Sequence, residues 1–145
     1  MKYNFLVDKR GNIMPYVVVL IAFVAMPMMI LSVEITRAMY VNAQLQTATD
    51  AACAAAVQAL DTAQFIETGL LQVDISQGRN FAQREFTTTI LDQGLNKYQA
   101  VLLSVNRLTD STVSCEASAV IEWVLPGFPD LTLTTSSTSS AQAIQ

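Results

Sequence analysis

The sequence contains no histidine, only two cysteines and few charged residues. Without histidine it lacks the commonest general acid or base of enzymes and the commonest zinc ligand, and two cysteines are too few for a zinc site built from cysteine alone. No phosphate loop, dinucleotide fingerprint or nucleophile elbow occurs. Charged residues are 14% of the 145 positions and the net charge is -4, so no basic surface is available for nucleic acid. We therefore expect no enzyme activity, no cofactor or metal, and neither nucleic acid nor a small-molecule substrate as a partner.

Apolar residues are in excess, at 52% of the chain, and they are concentrated near the N-terminus. No charged residue lies between Arg10 and Glu34, and residues 13–33 are almost wholly apolar. As a helix this segment would extend about 31 Å, the thickness of a bilayer core. A soluble core helix would carry a polar stripe, and a cleavable signal would have a shorter apolar region followed by a small-residue cleavage site. We expect a retained transmembrane helix, with these two structures as alternatives.

Basic residues before and after the span predict its orientation. Lys2, Lys9 and Arg10 precede it, whereas Arg37 alone follows closely. The positive-inside rule then places the N-terminus in the cytoplasm and the remainder of the chain outside it. The predicted organisation is a cytoplasmic segment at residues 1–12, a transmembrane segment at 13–33 and an exterior domain at 34–145.

The helix is expected to continue past the membrane to about residue 60, because Glu34 to Leu60 contains no glycine or proline and is rich in good helix formers. Pro27 predicts a kink or one loosened turn inside the span, unless the membrane helix merely tolerates it. Glu34 and Arg37 are three residues apart and can pair on the helix surface. Small and apolar residues recur on one helix face, where another element could approach closely: Leu45, Ala48, Ala52, Ala55 or Ala56, and Ala59.

The remaining sequence predicts a small α+β domain. A second helix is expected from Ser76 or Asn80 to Leu91, with Gly94 ending it. Three strands follow, at Tyr98–Leu108, Thr112–Val124 and Leu131–Ile144, the first two joined as an antiparallel hairpin. The predicted fold class is α+β: a long N-terminal transmembrane helix that continues into an exterior domain with a second helix and an antiparallel three-stranded sheet.

Two further features concern the exterior domain. Cys53 on the helix and Cys115 on the second strand both face the predicted core, and an exterior compartment permits disulfides. A bridge closing a loop of about 60 residues would stabilise the fold by about 4 kcal/mol in the chain-entropy model, and two buried free thiols are the alternative. Between Thr132 and Ser140 every residue except Leu133 is Ser or Thr. This pattern is typical of an exposed strand, with an O-glycosylated or intersubunit surface as the alternative.

Several separate pieces of the N-terminal region carry a family resemblance. They are Arg10-Gly11-Asn12, the apolar span, Val33-Glu34-Ile35-Thr36-Arg37, and the run LQTATDAACAAA at residues 45–56. In order and spacing they resemble the N-terminal module of TadE/TadG-like proteins of the tight-adherence (Flp) pilus. The resemblance covers residues 10–59 and implies a processing site at Gly11 and Asn12. TadE-type pseudopilins carry a Glu shortly after this Gly, which residues 12–17 lack, so the start is more similar to TadG-type members.

The resemblance implies a structural, non-catalytic pilus subunit: a minor pilin, a pseudopilin or an assembly factor. Its localisation would be the inner membrane, single-pass with the N-terminus inside, or the outside of the cell in an assembled pilus. Its partners would be other pilin-like subunits, bound through the N-terminal helix, and the inner-membrane assembly machinery. Alternatives are the main filament-forming pilin and a membrane-anchored binding module unrelated to pili. The helix residues expected to serve packing or assembly are Pro27, Glu34, Arg37, Leu45, Ala48, Ala52 and Ala55.

Overall fold

The computed structural model describes residues 13–124, 127 and 129–141. The chain divides into two units, the first ending at Thr36 and the second beginning at Arg37. The helices are α1 (Ile13–Leu20), a π-helical turn (Ile21–Ala25), α2 (Met26–Val57), α3 (Thr62–Thr68), α4 (Ile75–Asp92) and a 3-10 turn (Leu95–Tyr98). The strands are β1 (Val101–Thr109), β2 (Thr112–Ile121) and β3 (Leu131–Ser140). The predicted cytoplasmic segment 1–12, with Gly11 and Asn12, lies outside the described residues.

The first two helices and the turn between them form one continuous helix from Ile13 to Val57. The π turn directly precedes Pro27, and the backbone N–H of Met26 donates to the carbonyl of Ile21, five residues earlier. Proline has no N–H to donate and its ring crowds the carbonyl four residues before it, here that of Phe23. A wider turn relieves this crowding, so one turn is loosened at the position that Pro27 predicts.

The ends of the helices follow from local polar groups rather than from hydrophobic spacing. The carboxylate of Asp74 accepts hydrogen bonds from the backbone N–H groups of Ser76 at 2.9 Å and of Gln77 at 3.3 Å, and so caps α4. The prediction of Ser76 or Asn80 as the cap was therefore wrong. Gly94 follows the end of α4 with φ of 66°, a left-handed conformation that glycine adopts readily.

The sheet is antiparallel in the order β1-β2-β3, as predicted, but its strands are shorter. The helical turn that Gly94 starts takes up Tyr98, so β1 begins only at Val101. The pairing of β2 with β3 runs from Thr112 opposite Ser140 to Ile121 opposite Leu131, so Val124 lies beyond the ladder. Strand β3 ends at Ser140, and the predicted extension of β3 across residues 142–144 lies outside the described residues.

The core of the second unit lies between α2, α4 and one face of the sheet. On α4 the buried side chains are Ala82, Phe86 and Ile90, which recur every four residues on one helix face. On β2 alternate residues are buried, as the two-residue period predicts. The buried cluster also contains a stripe of α2: Val41, Leu45, Ala48, Ala52, Cys53, Ala56 and Val57.

Candidate functional site

The candidate site is the long helix itself, which has two chemically different parts. Along residues 13–33 every side chain is exposed except that of Ala25, which is half-buried, and Phe23 is 78% exposed. From Val41 onward a stripe of α2 is fully buried. Water does not stabilise the apolar surface of the first part, whereas lipid or other apolar helices do. The first part therefore fits a membrane anchor.

Small residues bring α2 into close contact with the rest of its own unit. Leu45, Ala48 and Ala52 are fully buried, and Ala55 is half-buried beside the fully buried Ala56. A β-carbon built on Gly78 of α4 would stand 2.8 Å from the carbonyl oxygen of Ala56, so only glycine fits there. The close approach predicted from the alanines thus occurs within the subunit. A role of these residues in assembly stays a prediction.

A pair of buried threonines joins the same helix to β3. The Thr49 hydroxyl donates to the carbonyl of Leu45 at 2.8 Å and lies 2.9 Å from the hydroxyl of Thr135. Thr49 is fully buried and Thr135 is 7% exposed. Because each buried hydroxyl has a partner, the pair adds a specific polar contact to an otherwise apolar interface. Sequence patterns gave no signal for it, since the two residues lie on different elements.

Arg37 connects the start of the second unit to two distant segments. Its Nε donates to the Tyr98 hydroxyl at 3.3 Å, and a guanidinium N–H donates to the carbonyl of Glu122 at 3.4 Å. The Arg37 guanidinium and the Lys97 ammonium lie 5.3 Å and 5.0 Å from the centre of the Tyr98 ring, within range of cation–π attraction. The hydrogen bond from Arg37 lowers the pKa of Tyr98 below its usual value, and Lys97 acts in the same direction while burial opposes it. Arg37 of the predicted acidic-x-x-Arg step is therefore a structural clamp inside its own unit.

Glu34, the acidic member of that step, is 4% exposed at the end of the first unit. Burial of a carboxylate is costly unless polar groups compensate it, so this residue is held in a specific environment. Sequence spacing identified the position, but it predicted a residue on the helix surface rather than a buried one. Pairing of Glu34 with Arg37 stays a prediction.

Cys53 and Cys115 lie in the core of the second unit, both fully buried and both free thiols. The Cys53 sulfur is 3.4 Å from the carbonyl oxygen of Val113 and 3.5 Å from that of Ser137. Ser137 is the residue of β3 that pairs with Cys115. The structure thus brings together the two cysteines that the sequence predicts to face the core.

The Ser/Thr-rich strand β3 has alternating exposure. Its outward row is exposed and uncharged, and it consists of Thr132, Thr134, Ser136, Thr138 and Ser140. The side-chain amide of Gln46 on α2 also donates to the carbonyl of Ser136 at 3.4 Å. The expected exposed strand is present, whereas glycosylation of this row and its use between subunits stay predictions. Within the described part of the chain, no group of three or more His, Cys, Asp or Glu side chains could hold a metal ion.

Sequence reasoning missed four residues of this arrangement: Thr49, Gly78, Tyr98 and Thr135. For Gly78 a signal was present, because a glycine inside a helical pattern indicates a close approach of backbone. Tyr98 was assigned to a strand, and Thr135 was one of many similar residues in its segment. Their partners lie on other elements of the fold, so only the folded chain identifies them.

These features define a class of protein in which a helical anchor continues into a small folded α+β domain. The anchor part of the helix is apolar and exposed, and the other part is buried in the domain. Residues 11–59 match the family model of Flp pilus-assembly TadE/G-like proteins. This match confirms the resemblance seen in the sequence and covers the helix from the start of the apolar span to just past its end at Val57. It supports an involvement in Tad pilus assembly. No curated protein and no solved structure matches the chain.

Proposed function

We propose that this protein is a structural, non-catalytic subunit of a Tad/Flp-type pilus: a minor pilin, a pseudopilin or an assembly factor. The observation that carries the proposal is the continuity of one helix from Ile13 to Val57. Its apolar part is exposed, and its second part is the core helix of the folded domain.

The exposed apolar surface supports a subunit that lies first in the membrane and later in a filament. Before assembly, lipid surrounds residues 13–33, and in a filament other apolar helices take its place. Both environments satisfy the same side chains, so the helix can leave the bilayer without exposing apolar surface to water. The partners of this chain are then other pilin-like subunits, bound through the helix, and the inner-membrane assembly machinery.

The basic residues before the span support an orientation with the N-terminus in the cytoplasm and the folded domain outside. A reporter that is active only in the exterior compartment, fused after Gln145, tests this orientation. The expected result is activity for that fusion, and none for a reporter that is active only in the cytoplasm. The opposite pattern would contradict both the orientation and the pilus subunit. Gly11 and Asn12 remain the proposed processing site, which N-terminal analysis of the membrane-extracted protein tests.

Filament composition is the experiment that tests the function. Filaments sheared from cells are purified, and the amount of this chain relative to the other subunits is measured by mass spectrometry. A minor pilin or pseudopilin is expected at a small fraction of the subunits, and an assembly factor is expected to be absent while its deletion abolishes filaments. A chain that dominates the filament is the main pilin instead. If the chain is absent from the filaments and its deletion leaves them unchanged, the result would favour the alternative of a membrane-anchored binding module unrelated to pili.

A further inference from the structure

Two thiols at the centre of the folded domain have no role in the proposed function. Cys53 lies on α2 among alanines, and Cys115 lies in the middle of β2. Both are fully buried. These positions join the helix that continues from the apolar span to the central strand of the sheet, so a bond between them would tie the two elements covalently.

Backbone carbonyls around the Cys53 sulfur belong to residues that adjoin Cys115. The Cys53 sulfur lies 3.4 Å from the carbonyl oxygen of Val113 and 3.5 Å from that of Ser137. Val113 precedes Cys115 by two residues on the same buried face of β2, and Ser137 is the direct partner of Cys115 on β3. The Cys53 sulfur therefore lies beside two residues that adjoin Cys115, one on the same face of β2 and one on the paired strand β3.

We propose that Cys53 and Cys115 are a modification site, oxidised to an intramolecular disulfide when the domain folds outside the cytoplasm. This inference rests on the proposed orientation, because disulfides form and persist in oxidising compartments. The thiolate of one cysteine attacks the disulfide of a protein dithiol oxidant and forms a mixed disulfide. The second thiolate then attacks the protein sulfur of that mixed disulfide. One sulfur–sulfur bond forms, two protons leave the thiols, and the oxidant takes up two electrons as its dithiol.

Burial determines when this reaction takes place. A protein oxidant must contact a thiolate, and neither sulfur is accessible once α2 has packed on the sheet. The bridge therefore forms before packing is complete, and afterwards it is shielded from reduction.

Trapping of thiols in the full-length protein tests the proposal. Cells are lysed in denaturant with N-ethylmaleimide, and the mass of the membrane-extracted chain is measured before and after reduction. Wild type is expected to take up no maleimide before reduction and two after it, with a peptide that joins both cysteines. Cys53→Ala and Cys115→Ala are each expected to take up one maleimide without reduction. In a strain that lacks the exterior dithiol oxidase, wild type is expected to take up two.

The double variant Cys53→Ala/Cys115→Ala separates failure of this inference from failure of the proposed function. It keeps the apolar span and carries the exterior reporter after Gln145. If the reporter is active outside and wild type still takes up two maleimides without reduction, the disulfide is overturned and the pilus subunit stands. If the exterior reporter is inactive and a cytoplasmic reporter fused at the same position is active, both are overturned. A second readout is urea unfolding in detergent, in which reductant is expected to lower the midpoint of wild type but not of the double variant.

Discussion

Gly78 of α4 faces Ala56 of α2 so closely that a β-carbon on Gly78 would stand 2.8 Å from the Ala56 carbonyl oxygen. Real side chains do not approach a backbone atom to this distance, and the atom in the way belongs to a helix backbone that cannot rotate aside. The contact fixes the separation of the two helices. It also explains why a residue with poor helix propensity stands inside α4.

Gly78→Ala is expected to destabilise the folded domain by about 1 to 3 kcal/mol, the range for overpacking a close contact. Helix propensity alone predicts the opposite sign, a gain of up to about 1 kcal/mol. Urea unfolding in detergent, followed by circular dichroism, measures the difference. Asn80→Ala is the matched control, because Asn80 is an exposed position of the same helix and its replacement should be neutral or slightly stabilising. A stable Gly78→Ala variant would show that α2 and α4 are farther apart.

The buried hydroxyl pair of Thr49 and Thr135 leads to an asymmetric prediction. Thr49→Val leaves the Thr135 hydroxyl without its partner, which costs about 1 to 3 kcal/mol for a buried group. Thr135→Val is expected to cost less, because the Thr49 hydroxyl still donates to the Leu45 carbonyl. The double valine variant is expected to be more stable than the sum of the single effects predicts.

Thr47→Val provides the control for the double-mutant cycle of Thr49→Val and Thr135→Val. Thr47 lies on the same helix, and its exposed hydroxyl donates to the carbonyl four residues earlier at 3.0 Å. Its replacement is expected to change the free energy of unfolding by less than about 0.5 kcal/mol. Additive effects of Thr49→Val and Thr135→Val, within error, would show that the two hydroxyls do not interact in solution.

The hydrogen bond from Arg37 to Tyr98 predicts a shifted titration. Since it lowers the pKa of Tyr98, this hydroxyl is expected to ionise at lower pH than an ordinary tyrosine, and Arg37→Gln is expected to move the titration upward. An unfolded chain titrates at about pH 10. The ionised hydroxyl therefore favours the folded state above that pH, and this contribution is lost as the pH falls through the folded pKa. The tyrosinate absorbance is measured against pH for the wild type and for Tyr98→Phe, and their difference is the titration of Tyr98. The same difference is then measured for the two proteins that also carry Arg37→Gln. An identical titration in both backgrounds would contradict the clamp.

Substitutions in the two parts of the long helix are expected to have different effects. Ala25→Asp places a charge inside the apolar span, at a cost of about 2.5 to 3.5 kcal/mol on insertion scales, and should reduce membrane retention and assembly together. Ala52 is fully buried in the folded domain, so Ala52→Leu should spare retention and destabilise the domain by about 1 to 3 kcal/mol through overpacking. Membrane fractionation beside filament yield separates the two effects.

Two substitutions serve as controls for this comparison. Ala25→Leu keeps the span apolar, and Ala54→Leu adds the same bulk at an exposed position of α2. Both are expected to retain membrane association and filaments. If Ala25→Asp inserts poorly but filaments are unchanged, the helix serves only as an anchor, and the binding module becomes the better explanation.

Local sequence patterns by themselves determined the main helix and the central strand of this protein. The long helix was predicted from the apolar run at residues 13–33 and from the absence of Gly and Pro between residues 34 and 60. The central strand was predicted at Thr112–Val124. These predictions depend only on neighbours in sequence. Pro27 predicted the loosened turn for the same reason. Gly94 ends α4 as predicted, but the start of α4 depends on the cap at Asp74 and the start of β1 on the helical turn that takes up Tyr98, and these two boundaries were predicted wrongly.

Only the tertiary structure decided which distant residues meet. Ala56 contacts Gly78, Thr49 contacts Thr135, and Arg37 contacts Tyr98. Each of these contacts depends on the position in which α2 packs against the sheet and α4, and that position is set by the volumes of all buried side chains together. A local pattern shows which face of an element is buried. It does not specify the partner, because many polar and small residues of the sequence could occupy the same facing position.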